Sequence, residues 1–273
     1  MNLEEEQSIE AESAEEPVRG RSRRPGVVIS ARDLELLSWV AEHRFSTKAI
    51  LIERFYSEPS RLKEGAQASG QYGAVRLRML IKQGYLRPSR YRILREAPLL
   101  VSDLGYKVLH GVGRLAEYRG FPDIDIENFE HDVWAQRCRI QLERDHGCHS
   151  WVTERAMKAM QQEKELPYLP DGRFLSSAGQ AWNLEVERTP KRLDRLKNIL
   201  DTRARASRRS KVLYVLDRRF SEFYRHLMSV TVNPGCFFAT HFDDFANVLC
   251  GSAGWRSLPL GEVLSSSRED RHE

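Results

Sequence analysis

The stretch Tyr72-Gly-Ala-Val-Arg-Leu-Arg-Met-Leu-Ile-Lys-Gln83 decides how the first half of the chain is read. It reads as a helix, and Gly84 directly after it supplies a helix stop. Two extended pieces follow, Tyr85-Leu-Arg-Pro88 and Ala97-Pro-Leu-Leu-Val101, joined by a hairpin that carries Arg87, Arg90, Arg92 and Arg95. Upstream, Ser30 is placed to N-cap a helix over 31–41, in which Leu34, Leu37, Trp39 and Val40 mark an apolar face. Ser46-Thr47 opens a second helix containing Ile50, Leu51, Phe55 and Tyr56. Residues 57–70 are rich in Ser, Gly, Pro and charge and read as a loop. Ser102-Asp-Leu-Gly starts one more helix after the hairpin.

Three helices and then a two-stranded wing is the winged-helix order, so residues 26–115 are expected to form a winged-helix DNA-binding domain. Arg76, Arg78 and Lys82 fall on the third helix, where a recognition helix would enter the major groove, and Arg87, Arg90 and Arg92 fall on the wing. Residues 26–120 hold 16 Lys/Arg and 9 Asp/Glu. The competing use of such a unit is dimerisation.

The whole chain of 273 residues has a formal net charge of +4, but residues 1–16 carry seven glutamates and no Lys or Arg, leaving +11 on the remainder. A basic remainder favours a polyanionic partner, nucleic acid first. Residues 1–25, acidic and then basic at Arg19-Gly-Arg-Ser-Arg-Arg24, bear too few large apolar groups to fold and are expected to be disordered, as are residues 263–273. The basic arm suits either a phosphate backbone or a solvated linker. No 18-residue apolar run and no secretory leader are evident, so a cytoplasmic protein is expected. Cys138, Cys148, Cys236 and Cys250 form no C-x-x-C pair and are expected to be reduced, buried thiols. Walker loops, G-x-G-x-x-G fingerprints and a Ser-His-Asp order do not appear, and with no H-x-H pair a relaxase of the tyrosine and histidine-cluster class is unsupported.

Residues 116–130 read as a linker, and 131–262 as a second, α/β domain with a mixed sheet. Its expected elements are a helix over 131–145, a strand at 149–153, a helix over 154–163 and strands at 173–175 and 182–188. A basic helix over 190–205, a strand at 211–217, a helix over 218–229, a strand at 236–240 and a helix over 242–250 complete it. In Trp182-Asn-Leu-Glu-Val-Glu-Arg188 the apolar Trp182, Leu184 and Val186 alternate with Asn183, Glu185 and Glu187. Glu185 and Glu187 therefore share a face. Pro170-Asp171-Gly172 lies thirteen residues before Glu185, and if the strand at 173–175 pairs beside the acidic strand, Asp171 can reach the same sheet end. Three carboxylates there make a hard oxygen site for Mg²⁺ or Mn²⁺, able to activate water at a phosphodiester. The alternative is a solvent-facing strand edge. Arg192 and Arg195 on the following helix would hold flanking phosphates, or be the wet face of a helix whose Leu193, Leu196 and Leu200 pack inward.

At this point the chain resembles the PD-(D/E)xK nuclease superfamily, and more closely the replication-relaxation family of plasmid and mobile-element proteins, which includes MobC-type relaxases. The matching landmarks are Arg32-Asp33, Arg76-Leu-Arg-Met-Leu, Gly84-Tyr-Leu, Leu100-Val-Ser-Asp-Leu-Gly105 and His131-Asp132. They continue through Trp151-Val-Thr-Glu154, Pro170-Asp171-Gly172 and Trp182-Asn-Leu-Glu185-Val-Glu187-Arg-Thr189. The resemblance implies an α+β chain, with a winged helix followed by a restriction-endonuclease-like domain. It also implies binding to the double-stranded DNA of a plasmid or mobile-element origin and metal-dependent nicking during mobilisation or replication. Asp171, Glu185 and Glu187 would ligate the metal, with Glu154 (or Glu143) supporting them and His131 and Asp132 as further candidates. Glu187 stands where the superfamily has lysine, with Lys191 or Arg188 as substitutes. That departure sets a site-specific nickase against a non-catalytic DNA-binding accessory or transcription regulator with a degenerate nuclease fold.

Overall fold

The computed structural model describes residues 28–57, 69–91, 97–114, 124–160, 169–189, 193–206, 210–217, 221–229 and 234–266. The expected N-terminal tail with its basic arm at 19–24, residues 267–273 of the expected C-terminal tail, Arg92, Arg95, Lys191 and Arg192 lie outside the described residues. Residues 263–265, expected to be disordered, instead end a helix over Leu260–Ser265, because Val263 and Leu264 are buried in the core. The fold is mixed α+β. Its first half runs α1 (Ala31–Glu42), α2 (Lys48–Tyr56), α3 (Ser69–Lys82), β1 (Leu86–Pro88), β2 (Leu99–Val101) and α4 (Asp103–Gly111).

Ser30 caps α1 reciprocally with Asp33: the Ser30 side chain accepts the Asp33 N–H, and the Asp33 carboxylate accepts the Ser30 N–H at 2.8 Å. The Thr47 hydroxyl accepts the Ile50 N–H at the start of α2, and Ser102 caps α4. β1 and β2 pair antiparallel with Leu86 opposite Val101, and Ser46 bridges to Leu99. One core joins Leu36, Leu37, Ile50, Leu51, Phe55, Leu77, Leu80, Leu86 and Leu99. α3 begins three residues earlier than Tyr72, inside the stretch whose polar composition reads as loop. Its packing on α2 overrides that composition, and a Cβ added at Gly73 would stand 2.8 Å from the Tyr56 ring. Only glycine permits so close an approach of the two helices.

The second half runs α5 (Phe129–His146), β3 (His149–Thr153), α6 (Glu154–Met160), β4 (Gly172–Leu175), β5 (Ala181–Glu187), α7 (Leu193–Ala206) and β6 (Lys211–Leu216). It closes with α8 (Ser221–Met228), β7 (Phe237–His241), β8 (Asp244–Cys250), β9 (Arg256–Pro259) and α9 (Leu260–Ser265). The seven strands form one sheet in sequence order from β3 to β9. β5, β6 and β7 are parallel, and the outer pairs are antiparallel. α7 and α8 cover one face through Leu196, Leu200, Phe223 and Leu227 against Val212, Tyr214, Leu216 and Phe237. α5 and α9 cover the other through Cys138, Leu142, Leu260 and Leu264 against Trp182, Leu184, Val186 and Leu213. Cys138, Cys148, Cys236 and Cys250 are all buried, in keeping with the expectation from their spacing.

The segment 244–250 is a strand, where a helix is expected from the sequence. Phe245, Val248 and Leu249 match helical i, i+3, i+4 spacing. Pairing with β7 on one side and β9 on the other prevails over that pattern.

α5 belongs to both halves. Ile140 and Val133 join the first core, Phe129 stacks on Phe45 at 4.9 Å, and Cys138 and Leu142 enter the sheet core. Gln136 is fully buried at this seam. Its Oε1 accepts from Trp39 Nε1 at 3.1 Å and from Ser46 Oγ at 2.7 Å, and its Nε2 donates to the Phe45 carbonyl at 3.1 Å. Arg139 lies over the rings of Trp39 and Trp151 and donates to Glu42 at 2.9 Å and Glu143 at 2.8 Å. Apolar contact and satisfied buried polar groups thus fix the two halves together. Ile124 is also buried here, with Phe45, Leu100 and Phe129.

Candidate nucleic-acid interface and acidic strand

α3 presents two faces. Leu77 and Leu80 point into the core. Tyr72, Val75, Arg78, Met79 and Lys82 are exposed. Their spacing of three and four residues places them on one side of the helix. Arg76 is different. Its Nε donates to Asp33 at 2.9 Å, and its guanidinium also reaches the Val28 carbonyl at 2.8 Å. Burial works against the Asp33 charge, but the hydrogen bonds from Arg76 and Ser30 outweigh it and hold the carboxyl below its ordinary range. Arg76, expected to meet DNA, instead ties α3 to α1. The landmark pair Arg32-Asp33 and Arg76 is thus one internal ion pair for its Asp33 and Arg76 members.

Residues 65–95 contain seven Lys/Arg and no Asp or Glu. Of these, Arg78, Lys82, Arg87 and Arg90 are exposed on α3 and the start of the hairpin. The Arg90 guanidinium lies over the Tyr91 ring at 5.2 Å. Arg195, on α7 of the other half, is exposed as well.

The acidic strand follows its expected parity: Trp182, Leu184 and Val186 enter one core. Glu185 and Glu187 take the opposite face, toward α7, and both are buried. Glu185 accepts from Arg203 Nη2 at 2.8 Å, and Arg203 also donates to the Tyr214 hydroxyl. Burial alone would lower the Arg203 pKa; the charge of Glu185, with the hydrogen bond to Tyr214, overcomes this and raises it. Arg203, a member of the basic run after β5, is therefore turned inward.

Asp171 ends the β4 side of the ladder, and its carboxylate takes the Val186 N–H at 2.7 Å, an acceptor where the strand supplies none. The same oxygen lies 3.1 Å from His131 Nε2. Gly172 beside it faces Trp151, and a Cβ there would lie 2.6 Å from Cζ2 of that ring. The Trp151 and Pro-Asp-Gly landmarks are thus two sides of one packing contact. Glu154 opens α6 and pairs with Lys158 at 2.6 Å and Arg44 at 3.7 Å. It shares an open cleft with His131, Asp132 and Asp171. Glu143 faces the other way, toward Arg54 and Arg139. Arg188 lies over Trp134 at 4.6 Å and pairs with Glu130.

The expected metal trio is not assembled: among the described residues no three His, Cys, Asp or Glu side chains are placed to hold one ion. Asp171 is turned to His131 and a strand amide, while Glu185 faces a guanidinium. This donor set does not fit Mg²⁺ or Mn²⁺, which require several convergent oxygens. The charge-neutralising partner of Glu185 is the signal sequence reading missed; Arg203 sits eighteen residues on, one basic residue among many in that helix. No helix among the described residues is long and apolar enough to cross a membrane. No model of a known family, no characterised protein and no solved structure matches the chain.

Proposed function

We propose that this chain is a double-stranded DNA-binding protein of the plasmid mobilisation and replication-relaxation type, acting as a non-catalytic accessory or regulator. Its first half works as a winged helix, with α3 in the major groove and the β1–β2 hairpin as the wing. One observation carries this: the exposed side of α3 and the start of the hairpin present Arg78, Lys82, Arg87 and Arg90, with no Asp or Glu between residues 65 and 95. An α-helix with side chains, about 10–12 Å across, fits the major groove, about 12 Å wide. The bridge from Ser46 to Leu99 and the order α1, α2, α3, β1, β2 support the winged-helix assignment. The second half supports it as a nuclease-like scaffold whose Glu185 is neutralised from within by Arg203. The ordered landmarks in the sequence support the family and the plasmid or mobile-element origin as the target.

Metal-dependent nicking is the second reading. It is favoured by the burial of Glu185 and Glu187 on one face at the end of β5, next to Asp171. The experiment is to titrate labelled duplex at several salt concentrations and, separately, to incubate supercoiled origin plasmid with Mg²⁺ or Mn²⁺ and with EDTA. Salt-sensitive binding without conversion to open circles is expected. Metal-dependent open circles that vanish in Asp171→Ala would replace the accessory reading with the nickase.

A further inference from the structure

α3 carries a second feature besides its charge. Tyr72, Val75 and Met79 are 59%, 40% and 39% exposed, and they stand in a line at i, i+3 and i+7. Single exposed apolar residues are ordinary on a protein surface, but an apolar line along a basic helix face calls for an apolar counterpart. Arg78 and Lys82 flank the line one turn apart. Tyr72 is steadied at its end by an edge contact with Tyr56, ring centroids 5.8 Å apart.

We infer that this line reads the 5-methyl groups of thymine in the major groove, with Val75 and Met79 as specificity-determining residues. The inference rests on the DNA-binding reading given above. Thymine offers the one apolar group on a major-groove edge, and it is met by side chains of this type. Val75 and Met79 are about 6 Å apart along the helix axis, close to two base-pair steps. The exposed Arg78 and Lys82 beside the line select a nucleic acid over a second copy of this chain as occupant, because a like-charged face would repel its own copy. Met79 adds adaptability, since an unbranched thioether conforms to either neighbour of a methyl group.

Selection from a randomised duplex library supplies the preferred duplex, which is then synthesised with thymidine and with deoxyuridine. The two differ by the methyl groups alone. By fluorescence anisotropy, wild type is expected to bind the uracil duplex about fourfold more weakly for each contacted methyl. The Val75→Ser/Met79→Gln variant, altered at exposed positions and checked for an unchanged Tm, is expected to bind both duplexes alike. Equal affinity of wild type for the two duplexes overturns the methyl readout while leaving DNA binding standing. Absence of binding to every duplex, with self-association that the double substitution abolishes, overturns both.

Discussion

The Nε2 atom of His131 lies 3.1 Å from an Asp171 carboxylate oxygen, and Nδ1 of the same ring lies 3.4 Å from Asp132. With a carboxylate at each nitrogen, the ring donates from both only as the imidazolium. Burial opposes that charge, but the bonds to Asp132 and Asp171 prevail and raise the His131 pKa to about 10. An unfolded histidine titrates near 6.5. The stabilisation from His131 is therefore fully present below about pH 6.5 and is lost as pH rises toward about 10. Thermal unfolding from pH 6 to 10 should show wild type losing its advantage over His131→Gln across that window, by about 2–4 °C for each kcal/mol. A gap that widens with pH would contradict the arrangement.

Arg76 and Arg78 are two residues apart and should behave oppositely. Arg76→Ala strands the buried Asp33 carboxylate, which keeps only Ser30 as partner, and is expected to cost about 2–4 kcal/mol in denaturant unfolding. Arg78→Ala should change stability by less than about 0.5 kcal/mol. Equal effects on stability would show that Arg76 is not the tie between α3 and α1.

Gln136→Leu tests the seam. It removes one acceptor shared by Trp39 and Ser46 and one donor to the Phe45 carbonyl. The expected cost is about 2–4 kcal/mol, since three buried polar groups lose their partner. Unfolding should still occur in one transition if α5 fuses the halves. Two separated transitions in wild type would contradict that fusion.

Arg203→Met leaves Glu185 buried without its guanidinium and should destabilise by about 3–5 kcal/mol. Adding Glu185→Gln should restore part of the loss. A double variant as unstable as the sum of the singles would mean that the pair does not interact.

The first half was legible because each of its elements carries a local signal: Ser30, Thr47 and Ser102 at caps, Gly84 after α3, and the arginine-rich hairpin. The alternation in β5 was legible for the same reason, as was the inward packing of Leu196 and Leu200. What was not legible depends on partners distant in sequence. α5 has apolar residues on two sides because it serves two cores, so its pattern announces neither. Phe245, Val248 and Leu249 obey helical spacing, yet the flanking strands make them a strand. Asp171 bonds to the Val186 amide between the buried Glu185 and Glu187. The spacing of these three carboxylates could not show that His131 and Arg203 would take up Asp171 and Glu185. Arg76 looks the same as Arg78 in sequence, and only its contact with Asp33 separates them.

The central claim is that the exposed side of α3 holds duplex DNA. Its most direct test is the affinity of the Arg78→Ala/Lys82→Ala variant for a duplex that wild type binds, measured by anisotropy over a range of salt. The account predicts an unchanged Tm, an affinity at least about tenfold weaker, and a shallower dependence of log K on log salt, by about 0.9 for each phosphate contact removed. Wild-type affinity and salt slope in the double variant would contradict it.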